Sequence, residues 1–407
     1  MSKFFIKEII LIYIITSIVI NYPNVDSNII FYIKTLSIFL IGFLFLILVF
    51  SNRNIEFFYK KSGSLLLISL LAVIVYSMVT LTKPNFLLFS IIFIMFFTFL
   101  GRYIGIGNLR LGLFSTLSLI FVDVLLLRVC LSGLFDIYNY TYYISDMSLE
   151  LKKVGYNIGR TGWAISLIFL ICFFKTFKKQ LSDNSIFKEF LLLSAIVLGC
   201  ICVFFSDSRT GIIALILLLI MWNYSFMKNL IKSKILFFMF LILEFFVVVL
   251  SIAKIAILLE GTRLSTFYSG DDISNGRSEG TAIGLEIIKN HFIIGTYPVK
   301  SYDLKEYGLE YSEIHILWLN LMALYGVPLI IFIGIILLLF VFRSAKLYYL
   351  NYSNYNVLDS KTLLFLVFFG LFATLFEPNA LISFISFVAI YWFVLGLCLN
   401  DKNPRSL

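Results

Sequence analysis

The stretch FFSDSRTGIIALILLLI, residues 204–220, sets the polar hexapeptide SDSRTG between two strongly apolar runs. Each run, followed outward to about 190–205 and 211–227, is long enough to cross a hydrocarbon core of about 30 Å as a helix. A short polar connection between two such runs is the mark of a turn at a membrane surface. The same arrangement recurs from one end of the 407-residue chain to the other.

With 61% hydrophobic and only 14% charged residues, the chain has too little charge to clothe a water-facing surface, which excludes a soluble globule. The apolar runs are continuous rather than alternating, so helices are expected and barrel strands are not. The fold class expected is all-α, a polytopic integral membrane protein of about twelve spans. These lie near 4–21, 29–50, 63–81, 86–100, 111–131, 161–177, 190–205, 211–227, 235–258, 314–342, 362–377 and 380–399. The fourth and eleventh are short. The tenth is long, and Gly326 to Pro328 is expected to bend it within one continuous helix.

Orientation follows from lysine and arginine in the connections. One set carries Lys3, Lys7, Arg53, Lys60, Lys61, Arg102, Arg110, Lys175, Lys178, Lys179, Lys228, Lys232, Lys234, Arg343, Lys346, Lys402 and Arg405. The alternate set is either short and poor in cations, as in NYPNVDSN and EPN, or long and acidic on balance, as in 259–313. The first set is expected in the cytoplasm with both termini, and the second outside. This asymmetry accounts for the net charge of +9 without nucleic acid as a partner. The first span lacks a small-residue cleavage site and is expected to be an uncleaved anchor. All five cysteines fall in spans, with no disulfide or metal framework.

The chain is expected to form a single polytopic domain, 1–407, with residues 259–313 as one large external loop between spans nine and ten. Loops of this length are usually functional. Within it SEGTAIGLEIIKN has the pattern of an amphipathic helix lying at the membrane surface. A second external loop, 132–160, carries DIYNYTYYISD, whose tyrosines suit either sugar stacking or an ordinary interfacial position. Asp271 and Asp272, in SGDDISNG, are read as a turn rather than a metal site.

A transporter places ionisable groups and broken helices near the bilayer midplane, whereas an enzyme acting on a lipid-borne substrate gathers them at one interface. Asp123 and Glu244 fall near mid-span, while Lys34, Arg128 and Lys254 lie in the outer third of theirs. Those three either snorkel to headgroups or help to hold an anionic one. In SDSRTG, Arg209 is the only cation, and a guanidinium beside a helix start offers donors suited to phosphate oxygens. The alternative is a structural contact from Asp207 to Arg209 with Thr210 as the helix cap.

The segment Ser208 to Gly211, Arg277 before a surface helix, NHFIIG at 290–295, and HILWLNLMALYG from His315 to Gly326 occur in that order along about residues 200–345. In this the chain resembles the Wzy-type O-antigen and capsule polymerases and their relatives the O-antigen ligases. It departs from their pattern at Phe292, where a proline follows the histidine, and at Ile316, where ligases often carry an amide or serine.

The resemblance implies an inner-membrane glycosyltransferase acting on an undecaprenyl-pyrophosphate-linked oligosaccharide at the outer leaflet, with no cofactor and no metal. Its other expected partners are the bilayer and a chain-length regulator. Arg209 and Arg277, followed by Arg263 and Arg160, are the candidates for holding the pyrophosphate and stabilising charge in the transition state. His315 is the candidate base for the acceptor hydroxyl, with His291 as the alternative and Ser208 and Thr210 as secondary candidates. The functions that remain open beside a polymerase are an O-antigen ligase, a lipid-linked oligosaccharide flippase or other transporter, and a peptidoglycan glycosyltransferase of the shape-and-division type. The last lacks its distinguishing motifs here.

Overall fold

The computed structural model describes residues 3–20, 61–80, 85–135, 160–206, 208–230, 277–296, 314, 316–352, 359–377, 381–382 and 386–399. The expected spans 29–50 and 235–258 lie outside these residues. So do Asp207, Arg263, Asp271, Asp272 and His315.

The described residues form twelve α-helices and one 3-10 turn, and no strand occurs among them. In chain order the helices are α1 Lys3–Ile20, α2 Lys61–Thr80, α3 Asn85–Ile104, α4 Leu113–Phe135, α5 Arg160–Ser182, α6 Ile186–Phe205 and α7 Arg209–Leu230. They continue with α8 Arg277–Asn290, α9 Leu317–Tyr325, α10 Val327–Tyr352, α11 Ser360–Ala373 and α12 Ser386–Cys398. Six of them, α2 to α6 and α10, are long and apolar enough to cross a membrane. Shorter apolar stretches in α7, α11 and α12 join them. The chain is a multi-pass helical membrane protein.

The centre of the bundle is α5. Of its apolar stretch Thr161–Ser182, 83% is buried, against 22% for Gly63–Thr80 in α2. A helix buried all round must be apolar all round, and α5 packs against α6, α7, α11 and α12. Phe169 of α5 stacks on Tyr391 of α12 at 5.8 Å and meets Phe369 of α11 edge-on at 5.9 Å. The peripheral helices instead expose apolar side chains, among them Val75, Met78 and Val79 of α2 and Phe187 and Phe190 of α6. Lipid tails are the solvent that tolerates such faces.

One end of the bundle is basic. There α5 turns into α6 through Asp183 and Asn184, both with left-handed φ (48° and 61°), a conformation these two residue types accept more readily than most. Arg110 pairs with Asp183 at 3.3 Å, the Leu111 amide donates to the Leu181 carbonyl at 3.1 Å, and the Lys188 ammonium donates to the Leu111 carbonyl. The buried Glu8 of α1 accepts from the amides of Gly112 and Ser115 at 2.8 and 3.1 Å, satisfying the free start of α4. At mid-bundle Asp123 of α4 is buried beside Ser194 of α6 without a hydrogen bond of good geometry. On the same helix Cys130 meets Cys202 of α6, thiol to thiol, at 3.5 Å.

Several helices run past their expected ends. α3 continues to Ile104 rather than stopping near 100, and α5 to Ser182 rather than 177, because the polar and basic residues that follow each apolar core keep helical geometry. α12 is shorter than the expected span 380–399, and Leu381 before it accepts the Trp392 indole N–H at 2.9 Å.

The main correction concerns 314–342, expected as one bent helix. The chain breaks at Gly326, whose φ of 85° and ψ of 153° are not helical and are open essentially to glycine alone. Were the helix continuous, Trp318 and Gly334 would stand about 24 Å apart along the axis. Instead a Cβ placed on Gly334 would lie 3.2 Å from the Trp318 ring. α9 therefore folds back along the first two turns of α10.

Candidate active site

Two groups of residues lie at the end of the bundle opposite the basic one. The first is built on SDSRTG. Ser206, at the close of α6, donates its hydroxyl to the Val203 carbonyl at 2.7 Å and accepts the Ser208 amide at 3.3 Å. The buried Ser208 is the cap of α7: its hydroxyl accepts the Gly211 amide at 3.2 Å, and its carbonyl accepts the Ile212 amide at 2.8 Å. The helix thus begins at Arg209, one residue before the expected start at Thr210, and the cap is Ser208 rather than Thr210. A Cβ on Gly211 would lie 2.5 Å from that of Ala164, so only glycine lets α7 approach α5 this closely.

That approach places two helix starts side by side. The Ser208 hydroxyl lies 3.5 Å from that of Thr161, the second residue of α5. Arg160 and Arg209 are therefore the first residues of two adjacent helices, whose positive dipole ends face the same region. Two such ends with an arginine on each can hold a strongly anionic group.

The second group surrounds the break at Gly326. Helix α8, the surface helix expected from SEGTAIGLEIIKN, starts at Arg277 and packs against α9 through Ile287, Ile288, Ile314, Ala323 and Val327. After α8, residues 291–296 form a turn that clamps the break. The Val327 amide donates to the Phe292 carbonyl at 2.9 Å, and the Thr296 amide to the Ala323 carbonyl at 2.9 Å. A Cβ on Gly326 would lie 2.1 Å from the Ile293 carbonyl oxygen, and one on Gly295 would lie 2.6 Å from the Gly326 amide nitrogen. The glycines that end NHFIIG and HILWLNLMALYG are thus one contact. Tyr76 of α2 donates to the Ile294 carbonyl at 2.6 Å. Beside it an apolar groove of about 550 Å³ runs between α2 and α10, floored by Ile293 and Ile294.

His291 belongs to this clamp. It is exposed, its amide donates to Ile287 and its carbonyl accepts from Gly295, both at 2.9 Å. The other end of α9 is held by Thr374. There the Leu317 amide donates to the Thr374 carbonyl at 2.9 Å, and the Trp318 indole donates to the Thr374 hydroxyl at 3.1 Å.

Residues 193–334 match the model of the O-antigen ligase family. That stretch is similar to the O-antigen ligase family. The matched stretch runs from α6 through the SDSRTG cap, α8, the clamp and α9 into α10, whereas the start of α5 lies outside it. No curated protein sequence matched the chain.

Among the described residues, no group of three or more histidine, cysteine or acidic side chains gathers in a way that could hold a metal. The sequence reading missed a set of polar residues buried at this end: Thr374 and Glu377 after α11, and Asn320 in α9. The only signal for Glu377 was the brief polar EPN, read as a connection poor in cations.

Proposed function

We propose that the chain is a polysaccharide polymerase that transfers a growing glycan from an undecaprenyl-pyrophosphate carrier to the next lipid-linked repeat unit. The observation that carries this reading is the convergence of the starts of α5 and α7, each headed by an arginine, with α7 inside the stretch that matches the O-antigen ligase family. Breaking a sugar to pyrophosphate bond leaves a strongly anionic group. Donors already aimed at that charge lower the barrier without reorganising as the bond breaks. Arg209 and Arg160, with Arg277 at the head of α8 and Arg263 before it, bind the pyrophosphate in this reading. His315 removes the acceptor hydroxyl proton. His291, exposed in the clamp, is the weaker candidate for that step. The carrier's polyprenyl chain passes along the apolar groove between α2 and α10.

In the same reading the basic end and both termini lie in the cytoplasm, the protein sits in the inner membrane, the site faces outward, and a chain-length regulator is a partner. The balance of loop cations supports this orientation. Cysteine introduced at Ser274 then reacts with an impermeant thiol reagent in whole cells. Labelling only after lysis reverses the orientation and removes the site from the outer leaflet.

The family's description as an O-antigen ligase favours a second reading, transfer of the finished glycan to lipid A core. Purified protein in liposomes, supplied with a lipid-linked repeat unit and with lipid A core in turn, separates the two. A ladder of lipid-linked oligomers supports polymerase, and a single transfer to core supports ligase. Loss of either product in Arg209→Ala and His315→Ala, with both variants folded, supports the site. Parental rates in both variants would sink it.

A further inference from the structure

We infer that Cys130 of α4 and Cys202 of α6 form a modification site, a thiol pair that a small peroxide converts reversibly to a disulfide. None of the five cysteines is in a disulfide. These two meet sulfur to sulfur at 3.5 Å, from positions 72 residues apart. Each thiol also reaches across to the opposite helix. Cys202 donates to the Leu126 carbonyl at 3.5 Å, and Cys130 to the Leu198 carbonyl at 3.7 Å. Leu126 stands four residues before Cys130, and Leu198 four before Cys202. The contact is therefore reciprocal, and both side chains are held pointing at each other.

A disulfide needs its sulfurs at about 2.05 Å, so about 1.5 Å must be closed. Rotation of the two side chains supplies it while α4 and α6 stay packed against each other. Both thiols are buried, which shuts out an oxidant that must bring its own cysteine into contact. Their cover is thin all the same. Leu127 and Leu131 on α4 and Ile201 on α6, which flank the pair, are exposed on the lipid side. Hydrogen peroxide, small and uncharged, reaches the sulfurs from there.

The step balances with the peroxide as oxidant. One sulfur attacks a peroxide oxygen, the O–O bond breaks, and water leaves with that thiol's proton, giving a sulfenic acid. The second sulfur attacks the first, the S–O bond breaks, and a second water leaves with the other proton. The two thiols lose two electrons and the peroxide gains them. A thiol already at contact favours this closure over further oxidation of the sulfenic acid. Cys202 stands four residues before Ser206, whose hydroxyl accepts the Ser208 amide at 3.3 Å beside the cap of α7. The bond therefore ties α4 to the end of α6 on which SDSRTG is built, whatever reaction that end performs.

The test treats the purified full-length protein in detergent with graded hydrogen peroxide, blocks remaining thiols, and reads the unreduced digest by mass spectrometry. A peptide pair joining Cys130 to Cys202 is expected, and dithiothreitol should release it. Two methionines calibrate the dose. Met78 of α2, 71% exposed, should become the sulfoxide, while Met95 of α3, 6% exposed, stays intact as long as the bundle stays folded. The link should form while Met95 is intact. Cys130→Ser and Cys202→Ser should each lose it, and Cys200→Ser should keep it. The oxidised parent is expected to unfold several degrees above the reduced one, because the bond closes a long loop in the unfolded chain.

Both thiols unchanged at a dose that converts Met78 would overturn the assignment. So would sulfinic acid on either cysteine without a cross-link, a link to Cys172, Cys200 or Cys398 instead, a disulfide-linked dimer, or a link seen only after Met95 has oxidised. A linked parent whose unfolding midpoint fails to rise overturns the tie between α4 and α6. The linked peptide is read in the parent itself, so a serine variant that fails to fold leaves the outcome decided.

Discussion

Trp318 of α9 packs against Gly334 of α10, with its ring 3.2 Å from the position that a Cβ on Gly334 would take. This contact, together with the indole's hydrogen bond to Thr374, fixes the fold-back of α9. Gly334→Ala needs only a small shift of the ring and is expected to leave the protein near parental stability. Gly334→Leu cannot be placed without driving the indole off α10, at a cost of about 1–3 kcal/mol for overpacking. Thermal unfolding in detergent measures the difference, and transfer should fall with it because the His315 segment is attached to the displaced helix. Equal midpoints for the two variants would mean that the fold-back does not depend on this contact.

Glu8 closes the start of α4 from a different helix. Glu8→Ala leaves the amides of Gly112 and Ser115 without their carboxylate and is expected to cost about 2–3 kcal/mol. Glu8→Gln keeps one acceptor oxygen and should lose less. The order parent, Gln, Ala in unfolding midpoints checks the assignment; a reversed order of the two variants contradicts it.

How much of this was legible beforehand depends on punctuation. α5, α6 and α7 were readable because polar residues separate their apolar cores, and SDSRTG announced a helix start to within one residue. The break at Gly326 was not readable as a fold-back. From Leu317 to Phe342 the sequence is almost uninterrupted apolar, and a glycine and a proline within such a run are equally consistent with a gentle bend. What decides the matter is long-range: the carbonyls of Phe292 and Ala323 and the ring of Trp318, none of which a local window can see. The site was legible as motifs in order, but the pairing of the α5 and α7 starts required Thr161 to meet Ser208, a contact between distant segments. Glu377 was missed because its burial comes from helices that close over it rather than from its neighbours in sequence.

Ser208 and Thr210 separate under substitution. Ser208→Ala removes the cap of α7 and is expected to cost about 1 kcal/mol of stability. Thr210, only partly buried and within the first turn, should tolerate alanine with less loss. Unfolding midpoints for the two variants test the assignment, and a larger loss in Thr210→Ala would return the cap to that residue.

Asp123 is buried at mid-bundle with no good hydrogen bond to its carboxylate. A polar group in that position costs about 1–3 kcal/mol when unmatched, so Asp123→Leu is expected to raise the unfolding midpoint. A lower midpoint would reveal a role for the carboxylate in holding α4 to α6.

The shortness of α9 has a consequence for how the protein is made. At nine residues it extends about 13 Å, too little to be recognised and released as a membrane-crossing segment during synthesis. α10 carries the hydrophobic length for insertion, and α9 must then swing back alongside it, pulling the clamp at 291–296 into register behind it. This end of the molecule is therefore assembled by post-insertional folding, after the scaffold is already in the bilayer. A defect in Gly295 or Gly326 would yield a chain that inserts with parental topology and never closes the clamp.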